Sequence, residues 1–268
     1  MHTTANTAPI GIFDSGVGGL SVYQALRQSL PWEDMIYVAD SGHAPYGERS
    51  VEYITERAFA ITRFLLEQGA KAIVVACNTA TVVAVERLRQ HFSVPIIALE
   101  PAIKPAIEHT RTGSVGVLAT RRTLESPAVQ RLCQTYGQER NIILQACPGF
   151  VEHVEQGRMH SPEALALVGH YVTPLLDAGV DTLVLGCTHY VYLHHVIQQH
   201  SGAHVRLLDS SAAVARQVAR RLHELSLANL HPRQAQDQFY STAHHPQAAS
   251  EVMSTLLGHP VEVKTAAI

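Results

Sequence analysis

Two cysteines end matching apolar runs in two similar stretches of the chain. Residues 69–77 read GAKAIVVAC and residues 179–187 read GVDTLVLGC, so the runs end at Cys77 and Cys187. A cysteine thiolate can accept a proton and a thiol can donate one. Two such groups aimed at one point from opposite sides can take a proton from one face of a carbon atom and return one to the other face. The pair therefore favours acid–base chemistry at a carbon centre.

The residues beside each thiol suit proton transfer. Strand signals give way to helix signals at both cysteines, so unpaired N–H groups and the positive end of a helix dipole would favour the thiolate, which forms near pH ~8.5 in a free cysteine. His189 follows Cys187 by two residues and is placed to hold or relay a proton, and Asp14 lies at the same rim for Cys77. Two facing thiolates repel each other, so we expect one thiol and one thiolate at rest.

The other residues of these types give no second site. Cys133 and Cys147 lack the paired pattern, and we expect both to be structural. The chain has no C-x-x-C or H-E-x-x-H spacing, so we expect no metal. Its three lysines, Lys71, Lys104 and Lys264, offer few candidates for a pyridoxal phosphate Schiff base. We therefore expect chemistry without a cofactor.

Strand and helix signals alternate along the chain and then start again. Corresponding strand signals lie 105, 106 and 110 residues apart: 10–13 with 115–118, 36–39 with 142–145, and 72–76 with the run that ends at residue 187. This repetition indicates an internal duplication. We predict an α/β protein of two pseudo-symmetric three-layer α/β/α lobes with mainly parallel sheets and the active site in the cleft between them.

The duplication also sets the expected domain boundaries. It accounts for residues 10–208, and the tail adds a helix start at Asp209-Ser210-Ser211, a helix near 247–257 and strand signals at 238–241 and 261–263. We assign this tail to the first lobe. The first lobe would then comprise residues 1–99 and 209–268, and the second lobe residues 100–208.

Polar loops fall where such a fold binds ligands, beyond the carboxyl ends of parallel strands. These loops contain Asp14, residues 40–47, Cys77, Thr120, Cys147 and Cys187. Gly16, Gly18 and Gly19 follow the first strand without the full G-x-G-x-x-G spacing of a dinucleotide site. We interpret them as a tight turn whose N–H groups can bind an anion.

Composition excludes several classes of protein. Of the 268 residues, 46% are apolar and 16% charged, which is typical of a folded domain and not of a disordered chain. The formal net charge of −3 provides no basic field for nucleic acid, so we expect a small-molecule partner. No apolar run approaches the ~18–20 residues needed to cross a bilayer. Residues 1–9 show no secretion signal, and we expect a cytoplasmic protein.

Five segments of the sequence together resemble one family. The segments GIFDSGVGGLSV, ADSGHAPYGERS, VVACNTATVVA, GVLATRRT and LVLGCTHY resemble glutamate racemases, in that order and over nearly the whole chain. The resemblance implies a cofactor-independent two-base mechanism that makes D-glutamate for peptidoglycan. It also implies that Cys77 acts on D-glutamate and Cys187 on L-glutamate, with assistance from Asp14, His189 and Glu155.

The resemblance further implies where the substrate binds. Its contact positions fall on Asp14, Ser15, Pro45, Tyr46, Gly47, Asn78, Thr79, Thr120, Thr188 and His189. Backbone N–H groups with Asn78, Thr79 and Thr188 suit the charge that develops on an α-carboxylate, and Ser15 and the Tyr46 hydroxyl can hold a second carboxylate. Related enzymes are often dimers, so a homodimer is expected. The tail before Ile10 is short, and we expect turnover without a cell-wall precursor as activator.

Two rival functions are compatible with the same architecture. One is an amino-acid racemase of the same fold with aspartate as substrate, which Thr79 and His189 argue against. The other is a two-lobed binding protein for an acidic amino acid, which the paired cysteines argue against. Two lobes joined by crossings near residues 99 and 208 also predict that the cleft closes on its substrate.

Overall fold

Two parallel sheets organise the protein. In this computed structural model, which describes residues 7–137 and 140–268, the first sheet has the strand order β10-β9-β2-β1-β3-β4 and the second β6-β5-β7-β8. All neighbouring strands pair in parallel. The strands are β1 Ile10–Asp14, β2 Met35–Ala39, β3 Ala72–Val75, β4 Ile96–Ala98, β5 Ser114–Ala119, β6 Asn141–Ala146, β7 Thr182–Leu185, β8 Arg206–Leu208, β9 Asp237–Ser241 and β10 Val263–Thr265.

Helices connect the strands and surround both sheets. The helices are α1 Leu20–Ser29, α2 Val51–Glu67, α3 Asn78–His91, α4 Ile103–His109, α5 Arg121–Leu124, α6 Pro127–Tyr136, α7 Phe150–Glu155, α8 Pro162–Asp177, α9 His194–Ser201, α10 Ser211–Glu224 and α11 Pro246–Leu257. Each sheet with its helices forms one lobe, so the predicted fold class of two α/β lobes with parallel sheets is confirmed.

Local sequence explains the boundaries of the main helices. The Ser50 hydroxyl accepts a hydrogen bond from the Tyr53 N–H at 3.1 Å and caps α2, and Ser161 caps α8 in the same way. Both helices end before a glycine in the left-handed region, Gly69 with φ +84° and Gly179 with φ +80°. The duplicated pattern of helix, glycine, strand and cysteine is thus present in both lobes.

One apolar core runs beneath the cleft and belongs to both lobes. Its largest cluster contains Leu20 and Tyr37 from the first lobe and Phe150 and Tyr190 from the second, all at most 1% exposed. The Phe150 and Tyr190 rings meet edge to face with centroids 5.0 Å apart. Apolar packing of this kind fixes the position of the loops above it.

Two expectations about individual elements are wrong. The last strand is β10 at Val263–Thr265 rather than 261–263, because the Val261 N–H donates to the Ser254 side chain at 2.9 Å and closes the end of α11. A 3₁₀ turn over Thr188–Leu193, not an α-helix, follows Cys187. Tyr190 holds this turn, since its N–H donates to the Cys187 carbonyl at 3.0 Å and its hydroxyl donates to Cys147.

The structure bears differently on three other expectations. The lobe boundaries at residues 99 and 208 stay a prediction. Of the segment 1–9, residues 1–6 lie outside the described residues. Among the helices of the described chain, none is both long enough and apolar enough to span a membrane.

Candidate active site

The Asp14 carboxylate, at the end of β1, is the most densely bonded group between the lobes. Its Oδ1 accepts from the Ser15 N–H at 2.7 Å, and its Oδ2 accepts from the Gly19 N–H at 2.6 Å and from the Thr188 hydroxyl at 3.1 Å. Thr188 belongs to the second lobe. Burial raises the pKa of Asp14, while the positive charge of His189 opposes that rise. Both lobes therefore supply the groups that stabilise this carboxylate.

Cys77 lies against Asp14 and caps α3. Its sulfur accepts from the Ala80 N–H at 3.4 Å, and its thiol donates to the Ser15 hydroxyl at 3.7 Å. Burial, together with the charge of Asp14, raises the pKa of Cys77 well above its usual value despite the Ala80 N–H. The Ala80 N–H at the helix terminus lowers this pKa, as expected, but desolvation outweighs it, so the net shift is upward. The surroundings therefore favour the thiol form of Cys77.

Cys187 faces a different set of groups. Its Sγ lies 3.9 Å from His189 Nδ1, and the other ring nitrogen of His189 lies 2.6 Å from Glu155 Oε1. Burial would lower the pKa of His189, but contacts with Cys187 and Glu155 and the charge of Asp14 outweigh it and raise the pKa well above its usual value. These contacts favour the protonated imidazolium form of His189.

Glu155 extends from α7 of the second lobe to the first lobe. The Val17 N–H donates to its Oε1 at 2.7 Å, and the Ser41 hydroxyl donates to its Oε2 at 2.6 Å. The glycine turn makes this approach possible, because a Cβ on Gly16 would lie 1.9 Å from Glu155 Oε1. Three loops from two lobes thus meet at one carboxylate.

The predicted substrate-contacting residues line both sides of the cleft. The Thr79 hydroxyl of the first lobe lies 2.9 Å from the Thr120 hydroxyl of the second, and a Cβ on Gly47 would lie 2.8 Å from the Thr120 Cβ. Pro45 and Gly47 also line a cavity of about 60 Å³ with Thr120. Asn78 is buried directly after Cys77. The structure therefore brings together the candidates from both lobes.

Tyr46 differs from its expected role. It is 1% exposed, and its hydroxyl donates to Asp40 Oδ2. A phenol has one hydrogen to donate, so this hydroxyl is not free to donate to a carboxylate of a substrate. Asp40 also forms a bidentate ion pair with Arg57, with N–O distances of 2.9 and 2.7 Å. This pair supports the loop at residues 40–47.

Sequence reasoning missed Ser41 and the Asp40–Arg57 pair. Both Asp40 and Ser41 stand directly after β2, which is a signal for the rim of the cleft. Their partners lie far away in the sequence, 17 residues for Arg57 and 114 residues for Glu155, and no local pattern marks them. A single sequence therefore identifies the rim but not its contacts.

The two remaining cysteines differ in how deeply they are buried. All four cysteines are free thiols. Cys133 lies on α6, half-buried, while Cys147 is buried and lines the small cavity with Tyr190. Burial raises the pKa of both. In the described chain no group of three His, Cys, Asp or Glu side chains could hold a metal ion.

The two lobes place different groups beside their cysteines. Cys77 lies with Asp14 and Ser15 on the first lobe, and Cys187 lies with His189 and Glu155 on the second. Residues 10–218 match the family described as Asp/Glu/hydantoin racemase. The chain belongs to this family. Members of the Asp/Glu/hydantoin racemase family invert amino acids or related compounds at one carbon, and this protein is an amino-acid racemase.

Named relatives cover nearly the whole chain. The glutamate racemase of Ectopseudomonas mendocina is 48% identical over 257 residues, which is 96% of this chain and 97% of the relative. A crystal structure of the Francisella tularensis glutamate racemase with D-glutamate matches with a TM-score of 0.83, 28% identity and 98% coverage of both chains. The Escherichia coli glutamate racemase with L-glutamate and the activator UDP-MurNAc-Ala matches with a TM-score of 0.82 and 34% identity, over 96% of this chain and 97% of that one.

The Gly16→Ala variant tests the contact between the glycine turn and Glu155. We expect it to lose at least about tenfold in racemase activity, because the new methyl group displaces a hydrogen-bonded carboxylate. The matched control is Gly169→Ala in α8, where the nearest atom to the new Cβ is 3.6 Å away. Turnover of both variants, compared at equal folded fraction by circular dichroism, checks this. Full activity of Gly16→Ala would contradict the contact.

The charge of His189 is testable by pH titration. A pKa raised above the unfolded value of ~6.5 stabilises the fold fully below that pH, and the stabilisation is lost as the pH rises through the folded pKa. We therefore expect ¹⁵N NMR to show both His189 ring nitrogens protonated at pH 7.5, with the signal assigned by its loss in His189→Gln. A neutral ring at pH 7.5 would contradict the assignment.

Proposed function

We propose that this protein interconverts L-glutamate and D-glutamate by a two-base reaction without a cofactor, with Cys77 and Cys187 as the bases. The observation that carries the proposal is the unequal surroundings of two thiols on opposite lobes. Asp14 and Ser15 contact the side of Cys77, and His189 and Glu155 contact the side of Cys187. The amino acid would lie between them.

In the proposed reaction of L-glutamate, Cys187 acts as the base and Cys77 as the acid. Cys187, as a thiolate beside the His189 imidazolium, takes the Cα proton of L-glutamate and becomes a thiol. The Cys77 thiol then gives its proton to the opposite face of the carbanion and becomes a thiolate, which completes D-glutamate. The reverse reaction begins at Cys77 and ends at Cys187, so the enzyme needs no proton from solvent within one turnover.

The carbanion requires stabilisation of its α-carboxylate as charge develops there. The side chains of Asn78 and Thr79 and the backbone amide of Thr188 are the candidates for this role. Burial strengthens each such contact, because the local dielectric is low. Ser15 and the backbone of Tyr46 and Gly47 are the candidates for the second carboxylate.

Glutamate is the proposed substrate because the relatives point to it. The Ectopseudomonas relative is a glutamate racemase at 48% identity, and the Francisella and Escherichia structures hold D-glutamate and L-glutamate. We infer that the product D-glutamate serves peptidoglycan synthesis. The proposal keeps two expectations from the sequence: a cytoplasmic location and a homodimer.

Serine variants of the two thiols test the mechanism. In an optical-rotation assay with L-glutamate and no added cofactor, we expect Cys77→Ser and Cys187→Ser each to lose at least about a hundredfold in turnover, because a hydroxyl is a far weaker base. Cys133→Ser, half-buried on α6, is the matched control and should keep its activity. Wild-type turnover by either active-site variant would contradict the mechanism. A wild type active on aspartate and inert with glutamate would establish the rival substrate.

A further inference from the structure

Ser41 lies on the first lobe and contacts a carboxylate of the second. Its hydroxyl donates to Glu155 Oε2 at 2.6 Å, while Glu155 Oε1 lies 2.6 Å from His189 Nε2. The opposite nitrogen of the His189 ring lies 3.9 Å from Cys187 Sγ. A chain of side-chain contacts thus runs from Ser41 on the first lobe, through Glu155 and His189, to Cys187 Sγ on the second.

The Ser41 hydroxyl is not required by its own turn. Backbone bonds close that turn, from the His43 N–H to the Asp40 carbonyl at 2.8 Å and from the Ala44 N–H to the Ser41 carbonyl at 3.4 Å. The Asp40 N–H also donates to the Asp14 carbonyl at 3.0 Å. These backbone bonds do not depend on the Ser41 hydroxyl. The side-chain contact that this hydroxyl makes is the one with Glu155.

The contact fixes the rotation of a largely buried carboxylate. The Glu155 side chain is 14% exposed, and its Oε1 already binds Val17 and His189. Ser41 is the donor that the described residues supply to Oε2. Without that donor, the carboxylate can rotate about its terminal bond and move Oε1 away from the His189 ring. The ring would then lose the group that orients it toward Cys187.

The geometry points to Ser41 as a positioning residue for the Cys187 half of the reaction, acting through Glu155 and His189. This inference rests on the proposed two-base function. The Cys77 half has its own contacts, with Ser15 and Ala80, and does not involve Ser41. Because Ser41 and His189 belong to different lobes, the chain of contacts is complete only when the lobes are together. Closure of the cleft would therefore also orient His189 toward Cys187.

The test uses Cα-deuterium isotope effects in both directions. A racemase has an equilibrium constant of one, so kcat/KM is the same for the two enantiomers in every variant. A loss of kcat/KM therefore does not reveal which proton-transfer step is impaired. Slower proton transfer at Cys187 instead changes the Cα-deuterium isotope effects on kcat/KM. It makes cleavage of the Cα–deuterium bond more rate-limiting for L-glutamate, and it makes the same cleavage at Cys77 less rate-limiting for D-glutamate.

We expect Ser41→Ala to lower kcat/KM about tenfold, the loss associated with removing a hydrogen bond to an ion. Its isotope effect should rise for deuterated L-glutamate and fall toward one for deuterated D-glutamate. His189→Asn should shift both effects in the same directions, which makes the comparison independent of which enantiomer each thiol attacks. Ser41→Thr keeps the hydroxyl and should restore the wild-type values.

The control for stability is Ser50→Ala, which removes a capping hydroxyl at the start of α2 that has no part in this chain. It should leave both isotope effects unchanged. With an active wild type, Ser41→Ala overturns the inference if it keeps the wild-type rate. It also does so if it loses rate without a shift in the isotope effects, or shifts them opposite to His189→Asn. A wild type that does not racemise glutamate overturns the proposed function itself.

Discussion

A buried carboxylate between two lobes is the constraint on which the site depends. Asp14 is fully buried, and an ion removed from water must find its hydrogen bonds within the protein. Donors from the first lobe, Ser15 and Gly19, and from the second, Thr188, supply them. Because neither lobe satisfies Asp14 alone, the two lobes must meet in one orientation. In that orientation Asp14 lies beside Cys77 and binds Thr188, which directly follows Cys187.

Electrostatics then makes the two halves of the cleft different, although duplication made them similar in sequence. Burial and the charge of Asp14 raise the pKa of Cys77, whereas Cys187 lies beside His189, whose own pKa is raised by its contacts with Cys187 and Glu155 and by the charge of Asp14. The proposed transfer from face to face requires one donor and one acceptor at its start, and unequal surroundings are suited to provide them. Glu155 supports this difference, since its carboxylate stabilises the charge on His189.

The duplicated strands and their cysteines could be predicted from the sequence, whereas the contacts between the two lobes could not. Apolar runs that end on thiols follow a local pattern, so Cys77 and Cys187 could be found by comparing the two halves of the chain. The position of Glu155 came from a family resemblance alone, because a short helix that reaches the other lobe has no periodic signal. The pKa of Cys77 could not be predicted, since its burial is produced by residues distant in sequence. Ser41 was missed for the same reason.

The central claim is that two different groups handle the protons on the two faces of one carbon. It is tested most directly by racemisation of L-glutamate in ²H₂O by the wild-type enzyme, sampled at early times and analysed by chiral separation with mass spectrometry. The account predicts that the D-glutamate formed first carries deuterium at Cα while the remaining L-glutamate does not. Deuterium appearing equally in both enantiomers from the first sample, or D-glutamate that retains the substrate proton, would indicate a single base and contradict the account.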